Sequence, residues 1–189
     1  MIGLFIVLLV VALALYAYLL HQRIHYDQML VDMHLKDIIA IIHRRVDQCA
    51  ALQHDIMALM PAEAQVWQEL DEARHAVLRA ITDYNADLIA AADSEFSRCL
   101  YDLQERMQGI SDIASHPSAL TFRHDMATLQ QELDRHVERY NAHVQQFNCH
   151  IKKLPRQLLA EFSGVRRKRL FMHQEATIGD HHIEAIVIE

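Results

Sequence analysis

The stretch that decides the fold runs from Leu133 to Pro155, LDRHVERYNAHVQQFNCHIKKLP. Its apolar residues Leu133, Val137, Tyr140, Val144, Phe147, Ile151 and Leu154 recur at intervals that alternate four and three. On a helix that spacing draws one apolar stripe, and a seven-residue repeat of this kind asks for a partner helix along its whole length. Within it YNAHVQQ is followed by FNCHIKK, so Asn141 and Asn148 fall on one flank of the stripe and His136, His143 and His150 on the other. Leu154-Pro155 ends the helix, because a proline pushes the residue before it out of the α region.

Working toward the N-terminus, three more stripes have helical spacing. Val31, Leu35, Ile38, Ile42, Val46, Cys49, Leu52, Ile56 and Leu59 form one, closed by Pro61. Val66, Leu70, Ala73, Val77, Ile81, Tyr84 and Leu88 form the next. Asp93-Ser94 offers an N-cap for the third, Phe96, Leu100, Leu103, Met107 and Ile110. The apolar phase also runs through this boundary by way of Ala92, so one continuous helix over 62–114 stays open as the alternative. The stretch from Gly109 to Pro117, GISDIASHP, is the clearest loop.

Four glycines and three prolines in 189 residues are too few turn-formers for an all-β chain and suit a few long helices. A formal charge of −7 argues against a general nucleic-acid binder. Cys49, Cys99 and Cys149 are odd in number and form no CxxC pair, so buried, unpaired thiols are expected.

Ile2 to Leu20 carries no charged side chain, and at helical rise it spans about 28 Å, close to a bilayer core. Tyr16 and Tyr18 sit where an aromatic belt would lie. Ala12-Leu13-Ala14 resembles a signal-peptide cleavage site, but no basic region precedes it and the apolar run continues past it, which favours an uncleaved anchor. Arg23, Lys36, Arg44 and Arg45 all follow the span, so the positive-inside rule places the N-terminus outside and the rest in the cytoplasm. The expected fold is therefore all-α. A transmembrane helix over 1–21 precedes an up-and-down four-helix bundle over 22–172 (alternatively three long helices), and a tail follows over 173–189.

After Pro155 comes a short amphipathic segment, RQLLAEFSGVRRKRLF. If the helices alternate up and down, Arg166, Arg167, Lys168 and Arg169 lie near the inner leaflet, where each cation contributes about 1 kcal/mol beside anionic lipid. A solvated basic face accounts for the same four residues equally well. In the tail, Ile183, Ile186, Val187 and Ile188 read either as disorder or as a strand that adds to a partner's sheet edge.

No phosphate-binding glycine loop, nucleophile elbow or catalytic constellation occurs. His136, His143 and His150 stand about 10 Å apart on one helix, too far to share a metal whose bonds are near 2 Å without a second helix. His21 and His25 share a face at the edge of the span but supply only two ligands, and Asp180-His181-His182 is a similar short set. No cofactor is expected. Arg44, Arg45 and Asp47 read as an inter-helix ion-pair set. Tyr140 fills a stripe position, and Asn141 is expected to bond a neighbouring helix and fix register.

The residues also resemble the LemA family. Tyr26-Asp27-Gln28-Met29-Leu30-Val31 is similar to the family's YN-x-LV start, Arg44-Arg45-Val46-Asp47 to its RR-x-D motif and Ala73-Arg74 to its AR pair. The specific block is Arg139-Tyr140-Asn141 with Val144, Phe147-Asn148, Ile151 and Leu154-Pro155, continuing to Ala160, Gly164-Val165 and Leu170-Phe171. Gln48-Cys49-Ala50 stands where the family has Leu-Ile-Pro, which removes the proline that would kink the helix. The resemblance covers roughly residues 1 to 172 and implies a membrane-anchored four-helix bundle, with Arg44, Arg45, Asp47, Tyr140, Asn141, Asn148 and Pro155 as motif residues. The expectation is a non-enzymatic scaffold or adaptor whose partners are the bilayer and other membrane-associated proteins, not nucleic acid; a homo-oligomer is open. Two rivals stand beside it: a metal-dependent enzyme or sensor using bundle histidines, and an organiser of the lipid surface through Arg166 to Arg169.

Overall fold

The computed structural model describes residues 2–172; the tail, with Asp180-His181-His182 and the β-forming residues near its end, lies outside the described residues. Every regular element among them is helical. The first, α1 (Ile2–Ile56), is a single helix of 55 residues, about 82 Å at helical rise. No glycine or proline falls between Leu4 and Met60, and the helix passes through Gln48-Cys49-Ala50 without a break. Its N-terminal part is long and apolar enough to cross a membrane, and none of its most apolar stretch is buried.

Two 3-10 turns, Met57–Leu59 and Pro61–Glu63, lead into α2 (Ala64–Thr82), followed by α3 (Ala86–Gly109) and the single turn α4 (Ser111–Ala114). Then come α5 (Pro117–Lys152) and the short α6 (Arg156–Phe162). Pro117 occupies the first turn of α5, where its missing N–H costs no helical hydrogen bond, and the His116 ring accepts from the Ser118 amide. The contacts fix direction. Asp27 meets His150, Arg44 meets Glu132 and Asp55 meets Ser118, so α1 and α5 run antiparallel. Arg45 meets Asp93 and Glu63 meets Arg106, so α3 runs parallel to α1, and α2 returns between them.

The stripes are the core, with local exceptions at element ends. On α1 the stripe is buried from Val31 to Ile56, but Leu59 is exposed because the change to a 3-10 turn at Met57 shifts the phase. On α5 the buried stripe starts well before Leu133, at Ala119, Phe122, Met126 and Leu129, and Leu154 is exposed beyond the helix end. Of the three cysteines, Cys49 and Cys99 are buried as expected, whereas Cys149 is exposed because it lies off the stripe.

One boundary is corrected. Asp93-Ser94 starts no helix, and 62–114 is not one continuous helix. The break falls at Asp83–Asn85, where Tyr84 has a positive φ of 50° and the Asn85 side chain accepts from the Asp87 amide. The phase therefore resets there, leaving Tyr84 and Leu88 exposed instead of in the stripe.

Candidate functional site

The residues of the family-like block converge on one feature, a clamp on the chain that follows α6. Asn141 and Asn148 are seven residues apart, hence about 10 Å along the same flank of α5. Asn148 Nδ2 donates to the Lys168 carbonyl at 2.8 Å, and its Oδ1 accepts from the Lys168 amide at 3.0 Å. Asn141 does the same with Phe171, at 3.0 and 2.8 Å. An amide paired with both groups of one residue has only one sensible orientation, since its NH2 must face the carbonyl. Three residues can cover the interval between the two asparagines only if Lys168 to Phe171 is nearly extended, because extended chain spans about 10 Å in three residues. The heptad of the helix is thus commensurate with the segment it holds.

Tyr140 completes the clamp by donating its hydroxyl to the Arg169 carbonyl at 3.0 Å. Burial, with the Asp32 and Asp87 carboxylates and Tyr84 nearby, pushes its phenol up to about 12, so it stays a donor. Side chains of the segment add to this. Lys168 Nζ pairs with Asp32 of α1 at 2.8 Å, Arg169 pairs with Asp87 of α3, and Phe171 is only 1 % exposed. The segment therefore ties α1, α3 and α5 together at one level of the bundle.

This placement splits the basic cluster. Arg166 and Arg167 are exposed and make no ion pair among the described residues, while Lys168 and Arg169 are bound to bundle carboxylates. The trio Arg44, Arg45 and Asp47 is not brought together either, because successive residues of a helix face different neighbours. Arg44 makes an exposed pair with Glu132 at 2.9 Å. Arg45, 2 % exposed, reaches across to Asp93 at 2.8 and 3.1 Å and to Ser97 at 2.9 Å, with its guanidinium 5.5 Å from the Phe96 ring centroid. Asp47 is exposed and in no ion pair among the described residues. Asn141 bonds the returning segment and not a neighbouring helix. Pro155 lies between α5 and α6 after a cis Leu154-Pro155 bond.

The heptad histidines each meet α1. His150 Nδ1 stands 3.0 Å from Asp27, the His143 ring stacks on His34 with centroids 4.5 Å apart, and His136 Nδ1 is 3.9 Å from Asp37. His34 Nδ1 faces the same Asp37 oxygen at 3.6 Å. Burial first, then His143, holds the His34 imidazole below its ordinary value against the opposing pull of Asp37. No group of three or more His, Cys, Asp or Glu among the described residues is arranged to hold a metal ion. The His21 and His25 rings touch edge to face at 4.5 Å, and His21 Nδ1 lies 3.3 Å from Ser163 Oγ.

Sequence reasoning missed Asp32, Asp87 and Asp93 as partners. Only Asp93 carried a signal: it continues the Ile89, Phe96, Leu100 stripe, a charge at an apolar position. Compared with known families, residues 34–183 match the LemA family. The match begins beyond the apolar segment and runs past Phe171 into the tail; no curated protein matches the chain.

Proposed function

The chain belongs to the LemA family, and from that premise we propose that it is a non-enzymatic, membrane-anchored scaffold that presents its C-terminal tail to partner proteins. In this reading Ile2 to Leu20 crosses the membrane, the helices beyond it form an up-and-down four-helix bundle in the cytoplasm, and the tail is the recruiting element. One observation supports it above the rest: the asparagine clamp fixes where the tail leaves the bundle. His34 meets His143, so Asn141 and Phe171 sit near the level of Lys36. That is sixteen residues past Leu20 on an unbroken helix, about 24 Å from the edge of the span. A rigid rod holding a tail at a set height is a geometry suited to recruitment.

The test compares co-purification from membranes for the full chain, a chain truncated after Phe171, and the Asn141→Ala/Asn148→Ala pair. Truncation is expected to remove partners while helicity and thermal unfolding stay unchanged. The double substitution is expected to weaken recruitment with the tail still present, and to speed amide exchange at Lys168 and Phe171. An unchanged interaction profile after truncation would sink the tail's role.

The rival, a metal-dependent enzyme or sensor, draws support from one contact, the stacked His34 and His143 from two helices. Stoichiometric zinc or iron retained by the purified chain through chelator dialysis would establish it.

A further inference from the structure

We propose that the corner between α5 and α6, and not the Lys168–Arg169 pair, is a second foot of the protein on the bilayer surface. This rests on the reading of Ile2 to Leu20 as a membrane span. Ser163, at the C-terminal end of α6, lies 3.3 Å from His21, the first residue after Leu20. A headgroup layer adds roughly 5–8 Å beyond each side of the hydrocarbon core, and a helix rises 1.5 Å per residue. An element bonded to His21 therefore sits inside that layer.

The corner has the chemistry such a layer selects. Leu154 is 73 % exposed and Leu158 54 %, four residues apart on either side of the turn into α6. Scattered exposed leucines need no explanation, but these two stand beside Lys152, Lys153 and Arg156 at the end of the bundle nearest the span. Apolar side chains flanked by cations are the composition that lies in an anionic interface. On the inward side, Ala160 is buried and Leu159 is partly buried against the core, so α6 packs on the bundle and leaves Leu158 outward. By contrast Lys168 and Arg169 spend their charge on Asp32 and Asp87, and the chain carrying them runs away from the span toward Asn141. The occupant is the surface of an anionic bilayer.

The test uses the full chain in phosphatidylglycerol-containing nanodiscs, in a Cys149→Ser background that removes the exposed thiol. A nitroxide is placed in turn at Gln157→Cys on the corner, Val11→Cys in the span and Ala62→Cys at the far end of the bundle. Accessibility to oxygen and to a nickel chelate then reports depth. The corner label is expected to be shielded from nickel relative to Ala62→Cys and to sit shallower than Val11→Cys. Leu154→Ser/Leu158→Ser, or Glu at Lys152, Lys153 and Arg156, should return it to aqueous values with Val11→Cys unmoved. A corner label as nickel-accessible as Ala62→Cys, with Val11→Cys in hydrocarbon, overturns the foot and leaves the anchor standing. An aqueous Val11→Cys overturns the anchor, and the foot with it.

Discussion

Arg45 brings a guanidinium into the middle of the bundle, and its environment shows what that requires. Two carboxylate contacts from Asp93, the Ser97 hydroxyl and the Phe96 ring surround it, while its Nε makes no hydrogen bond. Taking two charges out of water is costly, so the pair is weak evidence for stability but a strong constraint on either partner alone. Arg45→Met is expected to cost about 3–5 kcal/mol, since it removes the guanidinium that faces a buried carboxylate. Adding Asp93→Leu should recover most of that loss. Urea unfolding of the detergent-solubilised full chain followed by circular dichroism measures both, and a single substitution costing under about 1 kcal/mol would contradict the account. Arg44 is the control: its pair with Glu132 is exposed, so Arg44→Ala should cost less than about 1 kcal/mol.

At the scale of elements, the pairing of α1 with α5 carries its own pH dependence. The folded state holds the His34 imidazole below its ordinary 6.5, with burial the largest cause and His143 and His136 acting in the same direction against Asp37. A histidine depressed on folding binds fewer protons in the folded chain than in the unfolded one just below 6.5. Its contribution to stability is therefore present above that value and is lost as the pH falls through the window beneath it. Thermal unfolding across that window should fall more steeply for the native chain than for His34→Gln. Parallel profiles would remove His34 as the cause. The contact of His150 with Asp27 lies on the same seam and is common to both chains.

The whole molecule is organised by one helix. Because α1 passes from the apolar segment into the core without a break, any tilt of that segment is transmitted to the bundle. The proposed orientation rests on Arg23, Lys36, Arg44 and Arg45, which follow the apolar segment. A reporter fused at Glu189 is expected to be active only on the cytoplasmic side, and an extracytoplasmic signal would reverse the assignment.

The sequence by itself determined the all-helical class, the apolar N-terminal segment, the family and the buried faces of α1 and α5. Periodicity is a local property, and sustained stripes such as Val31 to Ile56 leave few alternatives. It misread the ends of stripes and the break before α3, because a polar pair at Asp93-Ser94 looks like a cap whether or not a cation waits opposite. Only the tertiary structure could supply that cation, Arg45, from a helix 48 residues away. The asparagines were legible as residues on one flank of a heptad, but their role was not. A side-chain amide matches any backbone, and which stretch returns to meet it is decided by how α6 turns the chain back, which no spacing within the heptad encodes.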